Sequence, residues 1–164
     1  MLKKHLCDKE GFSARVSYDL QEQNPHLAAE DHSAYNVRMS ECLIDESQVH
    51  IVYFFKEEEN ERGINDSATY ELGYLRAKRT STPYTGHCVL ILCENGYDAR
   101  NIGAMRAGIR PKTQDEWDWY DFEEPDDSIS LATQFCYGCM LNPRLMSLIY
   151  HQQVSTEKRH DFSI

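Results

Sequence analysis

The amino-acid sequence predicts a three-layer α/β sandwich built on a parallel sheet. Residues 49–55 (Val49-His50-Ile51-Val52-Tyr53-Phe54-Phe55) and 87–93 (His87-Cys88-Val89-Leu90-Ile91-Leu92-Cys93) are continuous apolar runs of strand length, as expected for strands covered on both faces. Between them, residues 67–79 place Ala68, Leu72 and Leu75 at i, i+4 and i+7, the stripe of a helix that packs on one side. A strand, a helix and a strand over this length imply a right-handed parallel crossover, and that alternation defines the class.

The chain has 164 residues, 41% of them hydrophobic, enough for one domain with its own core. The domain is expected over residues 1–153, with a polar tail over 154–164. The formal net charge is -10, a surface that repels phosphate backbones and argues against nucleic-acid polymers and anionic membranes as partners. No apolar run has the ~20 residues of a membrane span, and no signal-type core follows Met1. Six cysteines are scattered, mostly in apolar segments, as reduced thiols of a cytoplasmic protein would be.

In chain order, residues 2–10 read as a short helix closed by Gly11. Residues 12–18 alternate Phe12, Ala14, Val16 and Tyr18 and are expected to form a strand of the sheet. An α/β domain normally opens on a strand, so the first strand of the usual arrangement, missing from this sequence, is expected either to lie upstream of residue 1 or to be dispensed with. Asn24-Pro25 marks a loop. Residues 33–45 read as a helix capped by Asp31 or Ser33, with Tyr35, Met39 and Cys42 as its buried stripe. His50, the polar exception within 49–55, reads as a structural histidine with a satisfied ring.

Glu57, Glu58, Glu59 and Glu61 mark a solvated loop, since consecutive carboxylates point in different directions and cannot share a metal. Residues 80–86, with Pro83, form the next loop, Glu94-Asn95-Gly96 is a turn, and 101–109 is a short helical piece. Residues 116–122 alternate acidic and aromatic side chains, the pattern of an edge strand over the core or of a base-stacking platform. A last helix is capped by residues 125–128 and buries Ile129, Ala132 and Cys136, extended by Cys139 or Met140. Asn142-Pro143 ends it, and 144–152 reads as one more helix. Cys136 and Cys139 have redox or half-zinc spacing, but they fall late in an apolar helix with no second ligand pair, so they read as core thiols and no metal is expected.

The residues that carry chemistry lie at 65–77. Glu71 borders the apolar stripe near the expected start of its helix, where the dipole favours an ionised carboxylate, and just beyond the 49–55 strand, where ligands of open α/β sheets bind.

The segment Asn65-Asp66-Ser67-Ala68-Thr69-Tyr70-Glu71-Leu72-Gly73-Tyr74-Leu75-Arg76-Ala77 resembles the active-site segment of nucleoside 2-deoxyribosyltransferases, D-x-G-T-x-x-E-L-G-Y-A-x-A. Residues 2–93 follow the same element order more loosely. TIR-like domains and small uncharacterised archaeal α/β proteins share the layout, so the resemblance implies a flavodoxin-like (Rossmann-like) sheet. It also implies that Glu71 is the nucleophile that attacks C1′ of a nucleoside or nucleotide, with no cofactor. Retaining glycoside chemistry wants a second acid. The family aspartate falls on Asn65, an amide that cannot donate the proton, which leaves Asp66 for that role. Asn65, Ser67 and Tyr74 would then line the substrate, and Asn101 would stand for the asparagine that a neighbouring subunit supplies.

Two functions therefore stand open. One is an N-glycosidic-bond transferase or hydrolase using Glu71; the other is a non-catalytic nucleotide-binding or sensor domain of the TIR-like type. The missing strand, with Trp117, Trp119 and Tyr120 clustered, suggests apolar surface that a homodimer would cover.

Overall fold

The structure, a computed structural model, describes residues 1–16, 19, 32–56, 64–81, 87–107 and 117–142. Its elements are α1 (Leu2–Asp8), α2 (His32–Glu46), β1 (Val49–Phe54), α3 (Ile64–Ser81), β2 (Cys88–Glu94), a 3-10 turn (Ala99–Ile102), α4 (Gly103–Arg106), β3 (Trp117–Phe122) and α5 (Pro125–Leu141). The three strands pair in the order β1-β2-β3, all parallel. Ile51 stands beside Leu90, and Leu90 beside Asp118. The central strand is buried along all but its last residue, which is why its sequence is apolar without alternation.

Both faces of the sheet are covered. On one, Ile44 of α2 and Ala68, Leu72 and Leu75 of α3 pack on Val52, Phe54, Val89, Ile91, Cys93 and Trp117, with Ile102 filling the end of the layer. On the other, Leu90, Leu92 and Phe122 pack against Ala132 of α5, and Leu2 of α1 joins them. The helix α5 starts at a capping box in which Glu124 and Asp127 satisfy each other's backbone N–H, with Pro125 in the first turn. No helix among the described residues is long and apolar enough to cross a membrane.

Three expectations change. Residues 12–16 form no strand and join no sheet. Their alternation serves α1 and α5 instead: Phe12 N donates to Leu6 O, Cys7 Sγ donates to Ala14 O, and the Phe12 ring meets Tyr137 edge-on at 5.2 Å. Val16, which a strand would bury, is 43% exposed. On α2 the buried stripe runs through Tyr35, Met39 and Ile44, while Cys42 is exposed. Helical spacing puts 42 and 43 on neighbouring sides of the stripe, and the larger Leu43 is the one that packs beside Tyr35 and Met39.

The third concerns the tryptophans. Trp117 is buried, and Trp119 and Tyr120 are half-buried against opposite layers of the core, so much of the aromatic surface of β3 packs within the chain. The loops expected around 24–25, 57–63 and 82–86, and the helix and tail expected over 144–164, lie outside the described residues.

Candidate functional site

The residues expected to act on substrate all sit on or beside α3, and the structure gives each a place. Asn65, in the first turn, is buried and holds the end of β1: Phe55 N donates to its Oδ1 at 2.9 Å, and its Nδ2 donates to Phe55 O at 2.7 Å. An amide fits this position because the backbone presents one donor and one acceptor. An aspartate would offer only acceptors, and its charge would face the Phe55 carbonyl. Asp66 and Ser67 follow on the exposed side of the helix, and Asn101 is exposed on the 3-10 turn.

Glu71 stands two turns into α3 rather than at its start, beyond the first turn over which a helix dipole acts. Its carboxylate faces α2, where Ser40 Oγ donates to Oε1 at 2.8 Å. Similar contacts run along the same seam: Tyr70 Oη donates to Glu41 Oε1 at 2.5 Å and Tyr74 Oη to Asp45 Oδ1 at 3.3 Å, with Lys78 over the Tyr74 ring. Five residues of helix separate Asp66 from Glu71 and turn their side chains about 140° apart. The fold does not bring this pair together, and Tyr74 is tied to α2.

Burial pushes the Glu71 carboxyl above its ordinary value, and the Ser40 hydrogen bond only partly opposes this. A raised carboxyl pKa favours the protonated folded state, so Glu71 supports stability at low pH and loses that support as pH rises through its folded pKa. Glu71→Gln keeps the acceptor for Ser40 and removes the charge. Thermal melts should show the variant level with the parent near pH 4 and more stable at pH 7. Relief of ~1 kcal/mol would raise the midpoint of a domain this size by about 2–4 °C.

A different place in the molecule has the shape of a binding site. At the carboxyl ends of the three strands, on the face opposite α3, a cavity of about 630 Å³ opens between the sheet, the start of α5 and α1. The residues that line it include Met1, the aromatic Tyr53, Phe55 and Phe122 and the acidic Glu94 and Glu123. Tyr53 and Phe55 alternate onto this face from β1 and stack at 5.8 Å, within 10° of parallel, while Phe122 meets Tyr53 edge-on. Tyr53 Oη donates to Ser128 Oγ at 3.2 Å, and Ser128 Oγ donates to Pro125 O at 2.6 Å. Burial raises the Tyr53 pKa, so the ring is a neutral phenol. Glu94 receives Lys56 N at 3.1 Å and lies 3.5 Å from Lys56 Nζ. Sequence reasoning missed this group because Tyr53 and Phe122 are far apart along the chain; the available signal was the rule that strand carboxyl ends bind ligands, applied to all three strands.

The remaining titratable groups are structural. His50 Nε2 and His87 Nδ1 are 2.8 Å apart in the core, which matches the satisfied ring expected for His50. Cys88 and Cys139 pack together under α5. Burial pushes the Cys136 thiol up to about 11, and a hydrogen bond with Cys88 together with burial pushes Cys139 higher still. Both are protonated core thiols at neutral pH. Among the described residues, no group of three or more His, Cys, Asp or Glu side chains is arranged to hold a metal ion.

Searches of family models, curated proteins and solved structures found no match to this chain.

Proposed function

We propose that this domain binds a nucleoside-class small molecule, without breaking its glycosidic bond, in the cavity at the carboxyl ends of the strands. The observation that carries the reading is the juxtaposition of three aromatic rings with two carboxylates at the sheet edge where α/β domains take ligands. A base is flat and stacks on such rings, and a ribose diol donates to a carboxylate, the part assigned to Glu94. Cleavage by Glu71 has less support. That carboxylate is engaged by Ser40 in the α2–α3 seam, on the far side of the sheet from the cavity. A reducing, cytoplasmic setting belongs to the same proposal, supported by six cysteines without a disulfide.

Phe55→Ala tests the reading without cutting into the strands, since Phe55 is half-buried just past β1. Calorimetric titration with adenosine should give saturable binding to the parent, weakened about tenfold or more in Phe55→Ala, as the loss of one stacking ring implies. Glu71→Gln should bind like the parent. Binding lost in Glu71→Gln and kept in Phe55→Ala would move the site to α3, and release of free adenine dependent on Glu71 would restore the enzymatic reading.

A further inference from the structure

The charges around the cavity distinguish among nucleosides. Among the described residues that line it, Glu94 and Glu123 carry carboxylates and none is a lysine or arginine, while Met1, 90% exposed, brings the terminal ammonium. Glu94 is already engaged by Lys56, whereas Glu123 is exposed and has no ion pair or hydrogen bond among the described residues. The helix that starts at the rim cannot serve as an anion site in compensation. The carboxylates of Glu124 and Asp127 form its capping box, Pro125 has no N–H, and Asp126 adds a further negative charge in the first turn, so the Glu124 and Asp127 N–H groups are occupied and the local field opposes a phosphate. Tyr53, Phe55 and Phe122 line the same space, and the face of an aromatic ring attracts a cation through its quadrupole.

We propose that the cavity selects an unphosphorylated nucleoside whose base carries a positive charge, with the ring cation held between the aromatic side chains and Glu123. The proposal rests on the nucleoside reading above and adds the sign of the ligand's charge. Rings and a carboxylate converging on one space are the usual means of recognising an organic cation, and Glu123 supplies a carboxylate with no ion pair among the described residues. The net charge of -10 attracts such a ligand from a distance and repels a nucleotide.

The test uses a pair of isomers. At pH 7 the base of 1-methyladenosine is a protonated cation, and its isomer N6-methyladenosine is neutral with the same heavy atoms. Calorimetric titration of the intact chain should show the cation binding about tenfold tighter or more, the scale of a cation–π contact joined to a carboxylate. Glu123→Gln, a change at an exposed side chain, should narrow that preference to about threefold or less while leaving the neutral isomer's affinity unchanged. The 5′-monophosphate of 1-methyladenosine should bind more weakly than the nucleoside. Equal affinity for the two isomers would overturn this inference and leave the nucleoside reading standing. A preference unaltered in Glu123→Gln would overturn the role of that carboxylate, tighter binding of the monophosphate would overturn the exclusion of phosphate, and no binding by either isomer, nor by adenosine, would overturn both readings.

Discussion

Lowering the pH from 6.5 toward 5 is expected to destabilise the fold through two histidines buried in its core. Burial pushes His50 down to about 3, with the neighbouring His87 adding to the effect. His87 is also lowered, first by burial and then by the charge of Lys78. Both folded pKa values lie below the unfolded value, so the unfolded chain binds more protons. Stability is fully present above the ordinary histidine pKa of 6.5 and is lost as pH falls toward the folded values. Each excluded proton contributes a slope of about 1.4 kcal/mol per pH unit within that window. Denaturant titrations at half-unit steps between pH 7 and 5 measure the slope directly. The double variant His50→Leu, His87→Leu removes both hydrogen-bond partners together, so neither is left orphaned. It should flatten the slope; an unchanged slope would place the acid sensitivity elsewhere.

Asn65→Ala is expected to cost about 2–4 kcal/mol, because Phe55 N and Phe55 O would both lose their partner at a half-buried position, where each such group costs toward the low end of ~1–3 kcal/mol. A change of that size would lower the melting temperature by about 4–16 °C for a chain of this length. Asn65→Asp should also be destabilised at pH 7, since it keeps one acceptor, loses the donor to Phe55 O and introduces a poorly solvated charge. The comparison separates two reasons for an amide at this position. A clasp on the backbone predicts that both variants lose stability, whereas a degraded catalytic aspartate predicts an Asn65→Asp protein as stable as its parent.

Much of the fold could be read from the sequence because burial was continuous or periodic where it mattered. Residues 88–93 are apolar without interruption since the central strand meets a layer on each face, and Ala68, Leu72 and Leu75 repeat because α3 offers one face to the sheet. The alternation at 12–18 misled for a related reason. Period two reports a face, and Phe12 turns that face toward α1 and α5 rather than toward a neighbouring strand.

The functional residues were harder to read. The motif around Glu71 drew attention to α3, but a motif does not state where its helix begins; the first turn at Ile64 carried Glu71 away from the helix start and into the α2–α3 seam. The role of Asn65 is a single long-range clasp with no periodicity to announce it. Tyr53, Phe55 and Phe122 converge only because the sheet aligns the ends of β1 and β3 on either side of β2.

Locating a bound nucleoside tests the central claim most directly. Crystals grown with adenosine and with 1-methyladenosine should show the base against Tyr53, Phe55 and Phe122, with the ribose toward Glu94, the cationic base beside Glu123 and Glu71 still bonded to Ser40. A nucleoside found instead with C1′ against the Glu71 carboxylate, on the α3 side of the sheet, would contradict the account and return the protein to the glycosidic-bond chemistry that its motif resembles.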